Sequence, residues 1–190
     1  MGLKVSTIAR LPIATDRDYF IYFLDYGWDE PLSRALYDNF DRMAAFAAEN
    51  RSLVIAGLNR QEFANEVLRW HQVNGEDAEN LLPAIMIADC DPRLLARSNK
   101  YSGLGPERLR GGAKPERFFI VPLRQVCQSP TDVAGLLTRI IDDIKNKKKI
   151  SGFSVTEVVD KTSKGLSEMI VLRPRASGSI LKRHTNTFKV

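Results

Sequence analysis

Residues 18–33, DYFIYFLDYGWDEPLS, decide how the rest of the chain is read. From Tyr19 to Leu24, aromatic, β-branched and aliphatic side chains fall on both faces, which predicts a central strand covered by helices on each side. The run breaks at Asp25 into a tight acidic turn and feeds a helix. Asp29 is its expected cap, and Pro31 lies in its first turn, where a missing N–H costs nothing. Leu32, Leu36, Phe40, Met43, Ala44 and Ala47 then recur at helical spacing. They predict one long helix, closed by Asn50, that lays a single apolar stripe on a sheet.

Upstream of that stretch, Val5, Ile8, Leu11 and Ile13 stand among polar neighbours, and a short edge strand or an extended arm fits equally well. Downstream, Leu53 to Leu58 (LVIAGL) reads as a short buried strand. Asn59 with Glu62 three residues on makes a capping-box-like start for a second helix, with Phe63, Val67 and Trp70 on one face and Asn74-Gly75 at its end. Leu81 to Ala88 is a strand with Pro83 at its entrance, where the lost donor does least harm. From Asp89 to Arg117 regular patterning stops for about thirty residues, a length that in a compact domain marks function or disorder. Phe118 to Leu123 resumes as a strand. Ser129-Pro130-Thr131-Asp132 opens a third helix whose Val133, Leu136, Leu137, Ile140, Ile141 and Ile144 form a dense apolar face. It closes in KNKKK, cations suited to the negative end of the helix dipole. Phe153–Val159 and Leu166–Leu172, separated by DKTSKG, read as a C-terminal β-hairpin. The alternation argues a layered α/β sheet. The expected organisation is one domain over residues 1–172, with a core at 18–146 and the hairpin at 150–172, followed by a basic tail at 173–190.

The tail accounts for the whole excess of charge. The chain carries a net +5, and residues 173–190 hold five Lys or Arg and no acid, so the preceding residues balance to zero. With spaced apolar anchors Ile180, Leu181, Phe188 and Val190, such a tail is expected to order against another chain. Two cysteines, Cys90 and Cys127, do not make a secreted disulfide framework, and a cytoplasmic location is the simplest expectation. With only His71 and His184 beside them, no zinc site of the usual kind assembles from one neighbourhood. No apolar run spans a bilayer, and the first residues lack the pattern of a signal peptide. No cofactor is expected.

The order of elements, with a proline opening the Pro83 strand, resembles the thioredoxin-like fold over residues 18–146. In that fold the first core strand runs into a turn at the head of a long helix, and a proline, usually cis, precedes the next-to-last core strand. The resemblance implies a three-layer sandwich with a mixed sheet. It would set Gly27-Trp28-Asp29-Glu30 where the family carries Cys-x-x-Cys, with Pro83 as the family-type proline. This chain departs from the family there, because the turn holds no thiol and disulfide exchange has no nucleophile. The resemblance therefore implies a non-catalytic interaction subunit that docks on a larger protein assembly. Its expected contact residues are Trp28 and Asp29 in the turn, Arg93, Arg97, Tyr101, Arg108 and Arg110 in the long loop, and Arg173, Arg175, Lys182 and Arg183 in the tail.

Other chemistries fare less well. Neither a phosphate-binding G-x-x-x-x-G-K-[ST] nor a G-x-G-x-x-G after a strand occurs, since GLGPER at 103–108 follows a loop. G-x-S-x-G is absent too. Asp25, Asp29 and Glu30 after one strand and Asp89 and Asp91 after another form a possible Mg²⁺ set for phosphoryl transfer or nuclease chemistry, with Arg93 or Arg97 near a phosphate. Asp residues at strand ends also simply cap and turn a chain, and a thioredoxin-like sheet would hold the two clusters apart. Nucleic-acid contact is the other alternative. The loop, the KNKKK run and the tail are cationic, and Tyr101 is available to stack, although the body is neutral.

Overall fold

The computed structural model describes residues 1–11, 16–70, 81–89 and 118–155. Five strands form one mixed sheet: β1 (Gly2–Val5), β2 (Tyr19–Leu24), β3 (Ser52–Gly57), β4 (Ala84–Ala88) and β5 (Phe118–Pro122), in the order β1-β3-β2-β4-β5. β1, β3 and β2 are mutually parallel, whereas β4 is antiparallel to β2 and β5 to β4. Of the N-terminal residues left open between strand and arm, Gly2–Val5 form an edge strand and Ile8 lies in a 3-10 turn, while Ile13 lies outside the described residues. Every residue of β2 is buried, as its two-faced apolar composition requires of the middle strand.

The pleat sorts the core in two. Tyr19, Ile21 and Phe23 face helices α1 (Pro31–Asp38), α2 (Phe40–Glu49) and α5 (Pro130–Lys145). Phe20, Tyr22 and Leu24 face α3 (Arg60–Trp70) and a 3-10 turn at Ile8–Arg10. Helices on both faces make this a three-layer α/β arrangement. A short helix, α4 (Leu123–Val126), follows β5 directly.

Several expectations need correction. The single long helix is two: Asn39, at φ −89° and ψ 1°, separates α1 from α2, and its side-chain amide donates to the Ala35 carbonyl at 2.8 Å. That local bond competes with the helical ladder, while the apolar stripe continues across the break through Leu36, Phe40, Met43 and Ala47. Asp29 does not cap α1; Glu30 holds the N-cap position, with no side-chain cap bond. The strand entered by proline is shorter than expected, with the Leu82–Pro83 bond cis and pairing begun at Ala84. Leu123 belongs to α4 and not to the preceding strand.

The expected C-terminal hairpin also fails at its start. Ile150–Gly152 form a 3-10 turn and Ser154 and Val155 are helical, because Asp143 accepts both the N–H and the hydroxyl of Ser154 (2.7 and 2.8 Å) and fixes a turn there. The rest of that hairpin lies outside the described residues.

The capping of α5 is as read: Ser129 and Asp132 form a reciprocal capping box with Pro130 in the first turn. Asn59 likewise accepts the N–H of Glu62 at the head of α3. Gly57 is needed just before it, since a Cβ there would collide with Phe63 and with the Asn59 carbonyl. Its absence lets α3 start directly on the end of the sheet.

Candidate functional site

Parallel pairing puts the C-terminal ends of β1, β2 and β3 on one side of the sheet. The antiparallel partners bring the start of β4 and the end of β5 to the same side, with Leu24 opposite Ala84 and Ala84 opposite Pro122. The turn after β2 therefore leaves the sheet beside Pro83. Arg60 arrives here because α3 begins where β3 ends, and Arg124 because α4 begins where β5 ends. The Leu123 N–H donates to the Pro83 carbonyl at 2.8 Å and ties that junction together.

The turn is built on Asp25, which is fully buried. One carboxylate oxygen accepts the Gly27 N–H in an Asx-type turn, and the other meets the Arg60 guanidinium at 3.2 Å. Gly27 has φ +78°, in the left-handed region that favours glycine. Arg60 also stacks on the Tyr37 ring, 3.8 Å from its centroid. The Tyr37 hydroxyl donates to the Phe23 carbonyl at 3.4 Å. Burial, and after it the Asp25 charge, push the Tyr37 hydroxyl well above the ordinary phenol range against the opposing pull of Arg60. Tyr37 is therefore a neutral donor at all ordinary pH.

Outside this buried layer lies a second, half-exposed one. The Tyr26 and Trp28 rings meet edge to face at 5.4 Å, and the Tyr26 hydroxyl donates to Asn65 at 2.7 Å. Arg124 lies over the Trp28 ring at 4.5 Å and pairs with Glu30 at 2.9 Å. Glu30 also accepts the Ser33 hydroxyl, and exposed Asp29 pairs with Arg34. Leu58, 68% exposed, stands at the end of β3 on the same side of the sheet.

Asp25, Asp29 and Glu30 thus each have an opposite partner, an arrangement that presents aromatic and ion-paired surface. Cys127 sits elsewhere, buried at the end of α4, and burial pushes its thiol up to about 11. Among the described residues no group of three or more His, Cys, Asp or Glu is placed to hold a metal ion.

Of the sequence-read contact residues, Trp28 and Asp29 lie together in the turn. Arg93, Arg97, Tyr101, Arg108, Arg110, Arg173, Arg175, Lys182 and Arg183 lie outside the described residues, as do His71, Cys90, Asp91 and His184. The structure does not bring Asp25 and Asp89 together. β4 runs against β2, so Asp89 follows Ala88 opposite Phe20, about 20 Å of strand away from Pro83 and the turn. Sequence reading missed Tyr26, Tyr37, Leu58, Arg60 and Arg124. Arg60 was within reach, because the capping pattern of Asn59 and Glu62 starts a helix directly after the β3 strand and so sets its head at that strand's end. Arg124 was not, because its helix is only four residues long.

Among the described residues no helix is long and apolar enough to cross a membrane. Comparison of the chain with protein-family models, with characterised proteins and with solved structures finds no match.

Proposed function

We propose that this chain is a thioredoxin-like, non-catalytic interaction subunit that docks on a larger protein assembly through the turn end of its sheet. The strand order, the helices on both faces and the cis proline beside the turn all support the likeness. The observation that carries the reading is the turn itself. Where the likeness would set a thiol pair stand Gly27-Trp28-Asp29-Glu30, with Trp28 half-exposed and held between Tyr26 and Arg124. A tryptophan fixed in place with an arginine on its face loses little entropy on binding, and Trp, Tyr and Arg dominate the binding energy of protein interfaces.

The test compares affinity purification of the full chain from its native cells with that of Trp28→Ala and Lys4→Gln variants, each checked by circular dichroism. The expected result is a stoichiometric partner retained by the wild type and by Lys4→Gln and lost from Trp28→Ala. Equal retention in all three would remove the turn from the interface. Dithiol-driven insulin reduction by the wild type, above that of a Cys90→Ser/Cys127→Ser variant, would overturn the non-catalytic reading.

A further inference from the structure

The two edges of the sheet differ. Every residue of β5 is buried, whereas β1 is half-buried to exposed over Gly2, Leu3 and Lys4. The Val54 N–H donates to the Met1 carbonyl and the Leu58 N–H to the Val5 carbonyl, both at 2.9 Å. Leu3 and Val5 therefore turn their peptide groups inward to β3, and alternation turns the N–H and C=O of Gly2 and Lys4 outward. Among the described residues no strand pairs with them. An open row of this kind is a template for a further strand.

The flank above this edge is α2. A Cβ on Gly2 would collide with the Ala44 side chain and come within 3.2 Å of the Phe40 ring, and the Lys4 ammonium lies 4.9 Å from that ring's centroid. Ala44 thus sits over the edge strand, and Asp41 and Ala48 share its face of the helix. Asp41, Ala45 and Ala48 are exposed. The flank is therefore one of small side chains with a single acid, set beside the single base of the edge. Among the described residues neither Lys4 nor Asp41 forms an ion pair.

We propose that the chain forms a two-fold homodimer in which β1 pairs antiparallel with β1 of a second copy. A two-fold axis at Leu3 sets Lys4 opposite Gly2 of the partner subunit in the hydrogen-bonded register, with about four backbone bonds across the join. Charge complementarity selects a second copy as the occupant. Lys4 meets no side chain on the glycine opposite, and the helix above that glycine offers it Asp41 of the partner subunit. The symmetry repeats the contact on the other side of the axis. It also lays α2 beside its own copy, where Ala45 and Ala48 allow the helix axes to approach to about 8 Å. β3 separates this edge from β2 and its turn, so the dimer and the docking role of Trp28 stand or fall independently.

The experiment is sedimentation equilibrium of the full chain at about 1 to 200 μM, a range that covers the affinity of a modest interface. A reversible monomer–dimer equilibrium is expected. Lys4→Glu and Asp41→Lys, each checked for folding by circular dichroism, set like charges against each other twice per dimer. Each is expected to weaken association by about tenfold or more. The Lys4→Glu/Asp41→Lys double variant is expected to restore it, which damage to the fold would not do. Exchange of the Lys4 amide hydrogen is expected to slow as concentration rises. A chain that stays monomeric throughout, with β1 unpaired or taken up by a strand of a different protein, would overturn the proposal. So would equal dimerisation of the wild type and both single variants, or a double variant that associates no more tightly than either single one.

Discussion

Asp25 is a fully buried carboxylate, faced by the Arg60 guanidinium and the Gly27 N–H. Removing the guanidinium leaves that charge buried and undercompensated. Arg60→Ala is therefore expected to lower unfolding free energy by about 2–3 kcal/mol in urea titration, the partial exposure of Arg60 keeping the loss below that of a wholly buried pair. A loss below about 0.5 kcal/mol would mean that water already serves the carboxylate. Cys127 makes the opposite point. With its thiol pushed up to about 11, only about a thousandth of it is thiolate at pH 8. In a Cys90→Ser background, labelling by iodoacetamide at that pH is expected to be negligible until urea unfolds the chain, and prompt labelling of the folded protein would contradict its burial. At this scale the sequence was half legible. Trp28 and Asp29 declared themselves by filling a turn after an apolar strand, but their partners come from distant elements that no local spacing announces.

At the scale of elements, patterning succeeded where burial and backbone preference agree. β2 and α5 show it: one is apolar on both faces, and the other is apolar on one face behind a complete capping box. It failed at Asn39, where side-chain burial is continuous and only a side-chain-to-backbone bond breaks the helix. It failed again after Phe153, where Asp143 supplies a cap from another element. The capping box also sets a pH dependence. Hydrogen bonds from the Gln128 N–H and the Ser129 hydroxyl and N–H hold the Asp132 carboxyl below its ordinary 3.8. Because the folded value is depressed, the stability it contributes is fully present above the ordinary value and is lost as pH falls through the folded one. Thermal melts of wild type and Asp132→Asn are expected to differ by a constant amount between pH 5 and 7 and to converge below the ordinary value. A gap that widened in acid would refute the sign.

For the molecule as a whole, the α/β class and the separation of Asp25 from Asp89 follow from strand direction, and the separation was foreseeable once β4 was taken to run against β2. What composition could not reveal is which end of the sheet Trp28 and Asp29 occupy: the turn leaves beside Pro83, and Ala88 and Phe118 pair at the opposite end. Trp28→Ala combined with Lys147→Gln/Lys149→Gln is expected to change unfolding free energy by the sum of the separate effects, within about 0.5 kcal/mol, since the sites share no neighbours. Coupling well beyond that in chemical denaturation would join the ends energetically.

The pairing of Ala88 with Phe118 carries one more implication, for engineering. Two antiparallel strands whose facing residues bracket a long excursion need only a two-residue turn to stay joined. Replacing residues 89–117 with Asn-Gly would graft a minimal hairpin onto the intact sheet, at a lower loop-closure entropy than the natural connection. The same junction is consequently a port at which a foreign peptide can be displayed.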